Sequence, residues 1–306
     1  MNNAVSILTS IGHNLDLDDA AFGPLLDSSD LAEDFAALRA RMREDGYLYL
    51  RGYLDRNEVV AARRVILAGL EREGLLLEDS ATDEAIARPG ADVMFRPDLA
   101  QRNAALHKVL YDGAMMRFWN DFFDEPTRHY DFTWLRVVAP GKGTAPHCDV
   151  VYMGRGTHEL YTAWTPLSDI PLSMGGLMVL EKSHRHAKLN ANYGQKDVDA
   201  FCENRRPNWK EMGGGGNIRG GGALSHNPVK LRENLGGRWL TSPHFHMGDL
   251  LLFSIFTVHA SIDNQTNRVR LSSDTRYQLA SEPADERWIG PNPIAHGAQA
   301  KRGMIC

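Results

Sequence analysis

Pro146-His147-Cys148-Asp149 places an imidazole and a carboxylate two residues apart. In an extended chain, residues i and i+2 point to the same face. His147 and Asp149 could therefore grip one metal ion, with Cys148 directed the other way. Alone the pair carries little, because His-x-Asp is common and a surface loop holding both residues is the plainer reading. The chemistry becomes specific only if the chain adds a second imidazole and a reason for open metal positions.

Two histidines and one carboxylate, with positions left open, form the iron centre of an oxygenase. His244, His246 and His259 are the downstream candidates. His259 is the best placed, because it closes the apolar run Leu250 to Val258 and a fixed ligand needs a rigid, buried element. His244 and His246 adjoin Pro243 and a turn, and are expected on an exposed loop. Arg268 and Arg270 follow on a strand, on the parity of Ser272. A buried arginine is costly without an anion, and its planar fork suits a carboxylate. A dicarboxylate co-substrate, one end on the metal and the other on the arginine, would account for it. A structural ion pair, for example with Asp274, is the bland alternative. Ser261 shares parity with His259 and could donate to the same carboxylate.

The elements that must position these groups fall into two zones. Leu31, Phe35, Leu38 and Met42 recur at helical spacing from Asp30, and the helix should stop near Gly46. Tyr47 to Gly52 reads as a strand. Asp55 with Glu58 resembles a capping box before Val59, Ala62, Ile66 and Leu70, a second helix ending near Gly74. A third amphipathic stretch runs from Asp98 to Phe123. After Pro126 short strands dominate: Phe132 to Ala139, Glu159 to Pro166, Gly175 to Leu180, Arg238 to Thr241, Leu250 to Ser261 and Arg268 to Leu279. Helices first and strands second predict a β-sandwich or barrel with N-terminal helices packed on it, not alternating βαβ units. One catalytic domain over residues 1–306 is expected: a loose lead-in at 1–29, a mainly helical part at 30–125, a β core at 126–280 and an irregular tail at 281–306. Within the core, residues 184–237 hold Gly213 to Gly216 and Gly220 to Gly222. They are expected to form a long loop acting as a mobile lid.

At 306 residues the chain can bury a sizeable core, and its net charge of −5 offers no basic field for nucleic acid or an anionic membrane. The three cysteines, Cys148, Cys202 and Cys306, lie far apart, which favours a reducing compartment over a disulfide framework. No run approaches the roughly 18 apolar residues of a membrane span. The expectation is a soluble cytoplasmic protein with a small-molecule substrate, no nucleic acid and no membrane insertion.

The ordered set of motifs resembles the phytanoyl-CoA dioxygenase-type iron(II)/2-oxoglutarate oxygenases over roughly residues 38–280. It comprises Glu44 to Leu54, His147-Cys148-Asp149, Trp164 to Asp169, Gly175 to His184, Gly248 to Phe253, His259-Ala260-Ser261, Asn264, Arg268, and Arg270 to Tyr277. The resemblance implies a mostly β fold with flanking helices, a double-stranded β-helix (a jelly-roll, cupin-like barrel). It implies His147, Asp149 and His259 as iron ligands. Arg270, eleven residues after the distal histidine, would take the far carboxylate of 2-oxoglutarate, with Arg268 the alternative. Ser261 and Trp164 would line the co-substrate pocket, and His184 would be structural. Lys182 stands where the family often has Gly. The implied cofactors are Fe(II), 2-oxoglutarate as co-substrate and O2, giving succinate, CO2 and a hydroxylated small molecule. The retained carboxylate of Asp149 argues against the related halogenases, and leaves desaturation or ring closure open beside hydroxylation. The rivals are a non-redox metalloenzyme on a similar barrel, which would not need the Arg270 clamp, and a non-catalytic small-molecule binder.

Overall fold

The computed structural model describes residues 7–202 and 222–304. The glycines Gly213 to Gly216, Gly220 and Gly221, and with them residues 203–221 of the expected lid, lie outside the described residues. The flanks of that stretch carry helices, a difference from the long loop expected.

Three short strands come first, β1 (Thr9–Ser10), β2 (His13–Asn14) and β3 (Phe22–Pro24). Then α1 (Phe35–Asp45) is capped by the Asp34 carboxylate on Ala37 N–H. It ends at Gly46 with φ +78, where a Cβ would overlap the His184 ring. β4 (Tyr47–Leu50) and α2 (Arg56–Arg72) follow. The predicted third helix is three: α3 (Pro97–Gln101), α4 (Ala104–Tyr111) and α5 (Gly113–Phe123). Asn103 and Asp112 break it, because each side chain accepts from a backbone N–H of the next helix and restarts the chain.

The β region contains β5 (Thr127–His129), β6 (Trp134–Val138), the helical turn α6 (Val150–Met153), β7 (Leu160–Pro166), β8 (Ile170–Pro171) and β9 (Leu177–Leu180). It continues through α7 (Ala187–Asn192), β10 (Ala200–Cys202), α8 (Pro228–Leu235), β11 (Trp239–Thr241), β12 (His244–Phe245), β13 (Leu250–Ser254), β14 (His259–Ser261), β15 (Arg270–Leu279) and β16 (Arg302–Met304). The single strand expected from Leu250 to Ser261 is two, β13 and β14, which belong to different sheets.

The major sheet runs β4-β13-β7-β15-β5, with β6 also on β15, and the minor sheet runs β14-β9-β11-β3. Period-two alternation divides the major sheet's faces. Leu48, Leu50, Ala163, Leu250, Leu252, Leu271 and Tyr277 pack outward on α1, α2, α4 and α5. Tyr47, Tyr49, Trp164, Leu251 and Phe253 pack inward on Leu177, Val179 and Leu240 of the minor sheet. This two-sheet jelly roll, not closed into a barrel, holds a polar row along the inner face of β15: Arg270, Ser272, Asp274 and Arg276. The lead-in and tail are built in more firmly than expected. β3 pairs with β11, and β16 pairs in parallel with β10. No described helix is long and apolar enough to cross a membrane.

Candidate active site

His147 and His259 meet through the backbone. Each N–H donates to the other's carbonyl, at 3.0 and 2.9 Å, so the segment carrying His147 adds to the edge of β14. Ser261 secures the same segment, its Oγ accepting from Thr144 N–H at 2.8 Å. Asp149 reaches the histidines differently from the strand geometry expected. The chain leaves the bridge after His147, and Asp149 has helical angles (φ −67, ψ −25) at the start of α6. The turn directs its carboxylate between the sheets, with Oδ1 3.8 Å from Nε2 of both histidines. The three ligand atoms lie within 4.8 Å of one another, and all three residues are buried. Cys148 points into the core, as expected, with Sγ 3.4 Å from the Phe256 carbonyl.

The donor set suits a divalent metal. His147 Nδ1 lies 2.8 Å from the Ala145 carbonyl and His259 Nδ1 lies 3.0 Å from the Thr257 carbonyl. A carbonyl can only accept, so each Nδ1 carries the proton and each Nε2 presents its lone pair inward. Burial, reinforced by neighbouring His259, pushes His147 down to about 3, and burial lowers His259 as well. Both rings are therefore neutral at neutral pH, the form that ligates. Burial alone would raise Asp149. Arg276, the two histidines and the Thr162 hydroxyl together outweigh it, and the carboxyl sits well below its usual range. One anionic oxygen and two neutral imidazoles face a single point.

A cavity of about 280 Å³ opens beside His147 and Asp149. Phe95, Trp134, Tyr152 and Met153 give it apolar walls, and Arg136, Thr144, Arg276 and His296 give it polar ones. This is the size and lining of a small-molecule site. A larger hollow of about 750 Å³, lined by Arg102, His107 and Asp131 among others, contains none of the triad.

Arg270, Ser261 and Trp164 are buried but do not line the 280 Å³ cavity. Arg270 Nη1 donates to the Gly175 carbonyl, while its Nε and the Ser272 hydroxyl have no partner among the described residues. The expected alternative of an Arg270–Asp274 ion pair is not made: Asp274 pairs with Arg136 at 2.9 Å. A buried cation and a hydroxyl on one inner face would suit a carboxylate. Trp164 packs on Phe245 with centroids 4.8 Å apart. Arg268 lies outside, in a surface recess with Arg63 and Arg64. His244 and His246 stack on each other, apart from the triad. His184 Nε2 lies 3.0 Å from the Arg43 carbonyl, as a structural residue would.

The model of the phytanoyl-CoA dioxygenase family (PhyH) matches residues 42–272. The chain belongs to that family. It is an iron(II)- and 2-oxoglutarate-dependent dioxygenase. It is 28% identical to the 1-deoxypentalenic acid 11-beta-hydroxylase of Streptomyces exfoliatus over 291 residues, covering 92% of this chain and 93% of that one. The Streptomyces arenae enzyme of the same name is 27% identical over 295 residues, with 93% and 95% covered. Among solved structures, EctD from S. alaskensis aligns with a TM-score of 0.56 at 15% identity, covering 98% of this chain and 99% of its own. The epimerase SnoN, solved with Fe3+, alpha ketoglutarate and nogalamycin RO, aligns at 0.55 and 20% identity, covering 87% and 95%. At these identities the structures carry the fold alone.

Sequence reasoning missed three groups, Thr162 within the family match and Arg276 and His296 beyond its end at residue 272. Arg276 and Thr162 both hold Asp149, while His296 from the tail reaches the cavity wall. A signal for Arg276 was present, since it shares strand parity with Arg270. Nothing in the tail's composition marked His296.

Proposed function

We propose that His147, Asp149 and His259 ligate the iron, and that the enzyme hydroxylates a C–H bond of a small, largely apolar metabolite. The observation that carries this is the pair of inward Nε2 atoms, each 3.8 Å from one Asp149 oxygen, with both Nδ1 protons committed to backbone carbonyls. Iron with 2-oxoglutarate supplies the oxidising power, releasing succinate and CO2. The protein supplies geometry and exclusion of water. Arg270 takes the far carboxylate of 2-oxoglutarate, with its open Nε and the Ser272 hydroxyl as donors. The Ser261 hydroxyl, which uses a lone pair on Thr144 N–H, keeps its own proton to donate. Trp164 forms a flat apolar wall on this side of the core.

Phe95, Trp134, Tyr152 and Met153 favour a compact hydrocarbon body, and Arg136 and His296 favour an oxygen-bearing group at its edge. The two Streptomyces relatives are named as hydroxylases of 1-deoxypentalenic acid, an organic acid, which agrees with such a substrate. The reducing, cytoplasmic setting suggested by the sparse cysteines suits a ferrous cofactor.

Anaerobic titration tests the assignment. Fe(II) and 2-oxoglutarate together should give a weak visible metal-to-ligand charge-transfer band, lost in His147→Ala and His259→Ala. A wild-type protein with no band and no succinate formed on any small apolar acid or alcohol tried would overturn it.

A further inference from the structure

Asp149 has two carboxylate oxygens, held in different ways. Oδ1 faces the histidines, 3.8 Å from each Nε2. Oδ2 accepts from Arg276 Nη2 at 2.8 Å and from Thr162 Oγ1 at 2.5 Å. These donors are cross-strand partners, Arg276 of β15 directly opposite Thr162 of β7. The register of the major sheet therefore delivers both to one oxygen. Arg276 is itself clamped. It is buried, and its guanidinium carbon lies 4.1 Å from the centroid of the Trp134 ring. Trp134 is backed by Trp288 from the tail, at 4.7 Å between centroids, and the Trp288 indole N–H donates to the Tyr152 carbonyl at 3.3 Å.

We infer that Arg276, with Thr162, is a positioning residue that limits Asp149 to one oxygen on the metal and so keeps a coordination position open for 2-oxoglutarate. The inference rests on His147, Asp149 and His259 being the metal ligands. A carboxylate beside a dication can offer both oxygens, and each extra oxygen removes a position that the chemistry needs. A charge-assisted bond in a closed site holds the second oxygen away more firmly than a neutral donor could. Pairing with a substrate anion is the less suitable role for Arg276. Its Nη2 is already committed to Asp149 Oδ2, and its guanidinium lies over the Trp134 ring.

Mn(II) is the probe, because it takes such sites without turnover. Three quantities are read on the full chain: Mn(II) affinity from free-ion EPR, exchangeable waters on bound Mn(II) from water-proton relaxation, and 2-oxoglutarate affinity of the loaded protein. Arg276→Met should bind Mn(II) within fivefold of wild type or tighter, because the metal replaces the lost countercharge. It should carry one fewer water and bind 2-oxoglutarate at least fivefold more weakly. Thr162→Val alters no charge and should move water count and 2-oxoglutarate affinity the same way, so it carries the test if Arg276→Met does not fold. An unchanged water count, a 2-oxoglutarate loss below fivefold in Arg276→Met, or an Mn(II) loss of fivefold or more would overturn the inference. If the wild-type chain binds no Mn(II), the ligand assignment itself fails. If wild type binds it and the variants match wild type, the positioning role alone fails.

Discussion

Arg270 is a buried cation whose described partner is one backbone carbonyl, that of Gly175. Burial pushes it down to about 10, so the charge persists at neutral pH. An isolated buried charge is costly, and a carboxylate offered to its open Nε would relieve that cost. Arg270→Ala should therefore weaken 2-oxoglutarate about 100-fold, the roughly 3 kcal/mol of a charge-assisted pair. Metal affinity should change little. Equal losses of metal and 2-oxoglutarate in a titration would remove the clamp assignment. At the same scale Lys182 shows why a glycine suits its position: its φ is +55, in the left-handed region, and its amine is tied to Glu44 at 2.8 Å. Single residues of distinct chemistry were legible in the chain, because a histidine, an acid and an arginine at fixed offsets have few alternative readings. Arg276 was less so, because an arginine on a buried strand could equally neutralise a neighbouring acid such as Asp274.

The apolar run of β13 and the ten-residue length of β15 could be read from the chain. Elements of two or three residues could not, because β3, β10 and β16 are defined by their partners and not by their own pattern. The tail is the largest consequence. Asp199, just before β10, accepts from His296 Nδ1 and Arg287 Nη1, both at 2.7 Å, and Arg287 also holds Asp197 and Asp285. This clasp sets Trp288 behind Trp134. Burial would raise Asp199, but the His296 and Arg287 hydrogen bonds outweigh it and bring it down to about 2 from 3.8. A depressed carboxyl contributes stability above its unfolded value and loses it as pH falls through the folded one. Asp199→Asn should cost about 2 kcal/mol at pH 7, and the gap from wild type should shrink as pH falls from 5 towards 2. Denaturant midpoints across that range check this, and a gap constant with pH would contradict it.

Across the whole molecule, the triad draws its members from opposite sides of the sandwich. His259 belongs to the minor sheet and His147 adds to its edge, whereas Asp149 is anchored to β7 and β15 of the major sheet. A bound metal would therefore cross-link the two sheets, and 2-oxoglutarate between metal and Arg270 would add a second tie. Ligands that bind only the folded state stabilise it by about 2.7 kcal/mol at 100 times their dissociation constant. For a chain of this length that is roughly 5 °C in Tm. Mn(II) alone should raise the melting temperature by about this amount. 2-Oxoglutarate alone should raise it little, because only one of its ends has a partner. Together the shift should exceed the sum of the two, since each ligand completes the other's site. Arg270→Ala should keep the Mn(II) shift and lose the excess, and His259→Ala should lose both. Simple additivity of the two shifts in wild type would mean that metal and co-substrate do not share a site, and would break the link drawn between β15 and the triad.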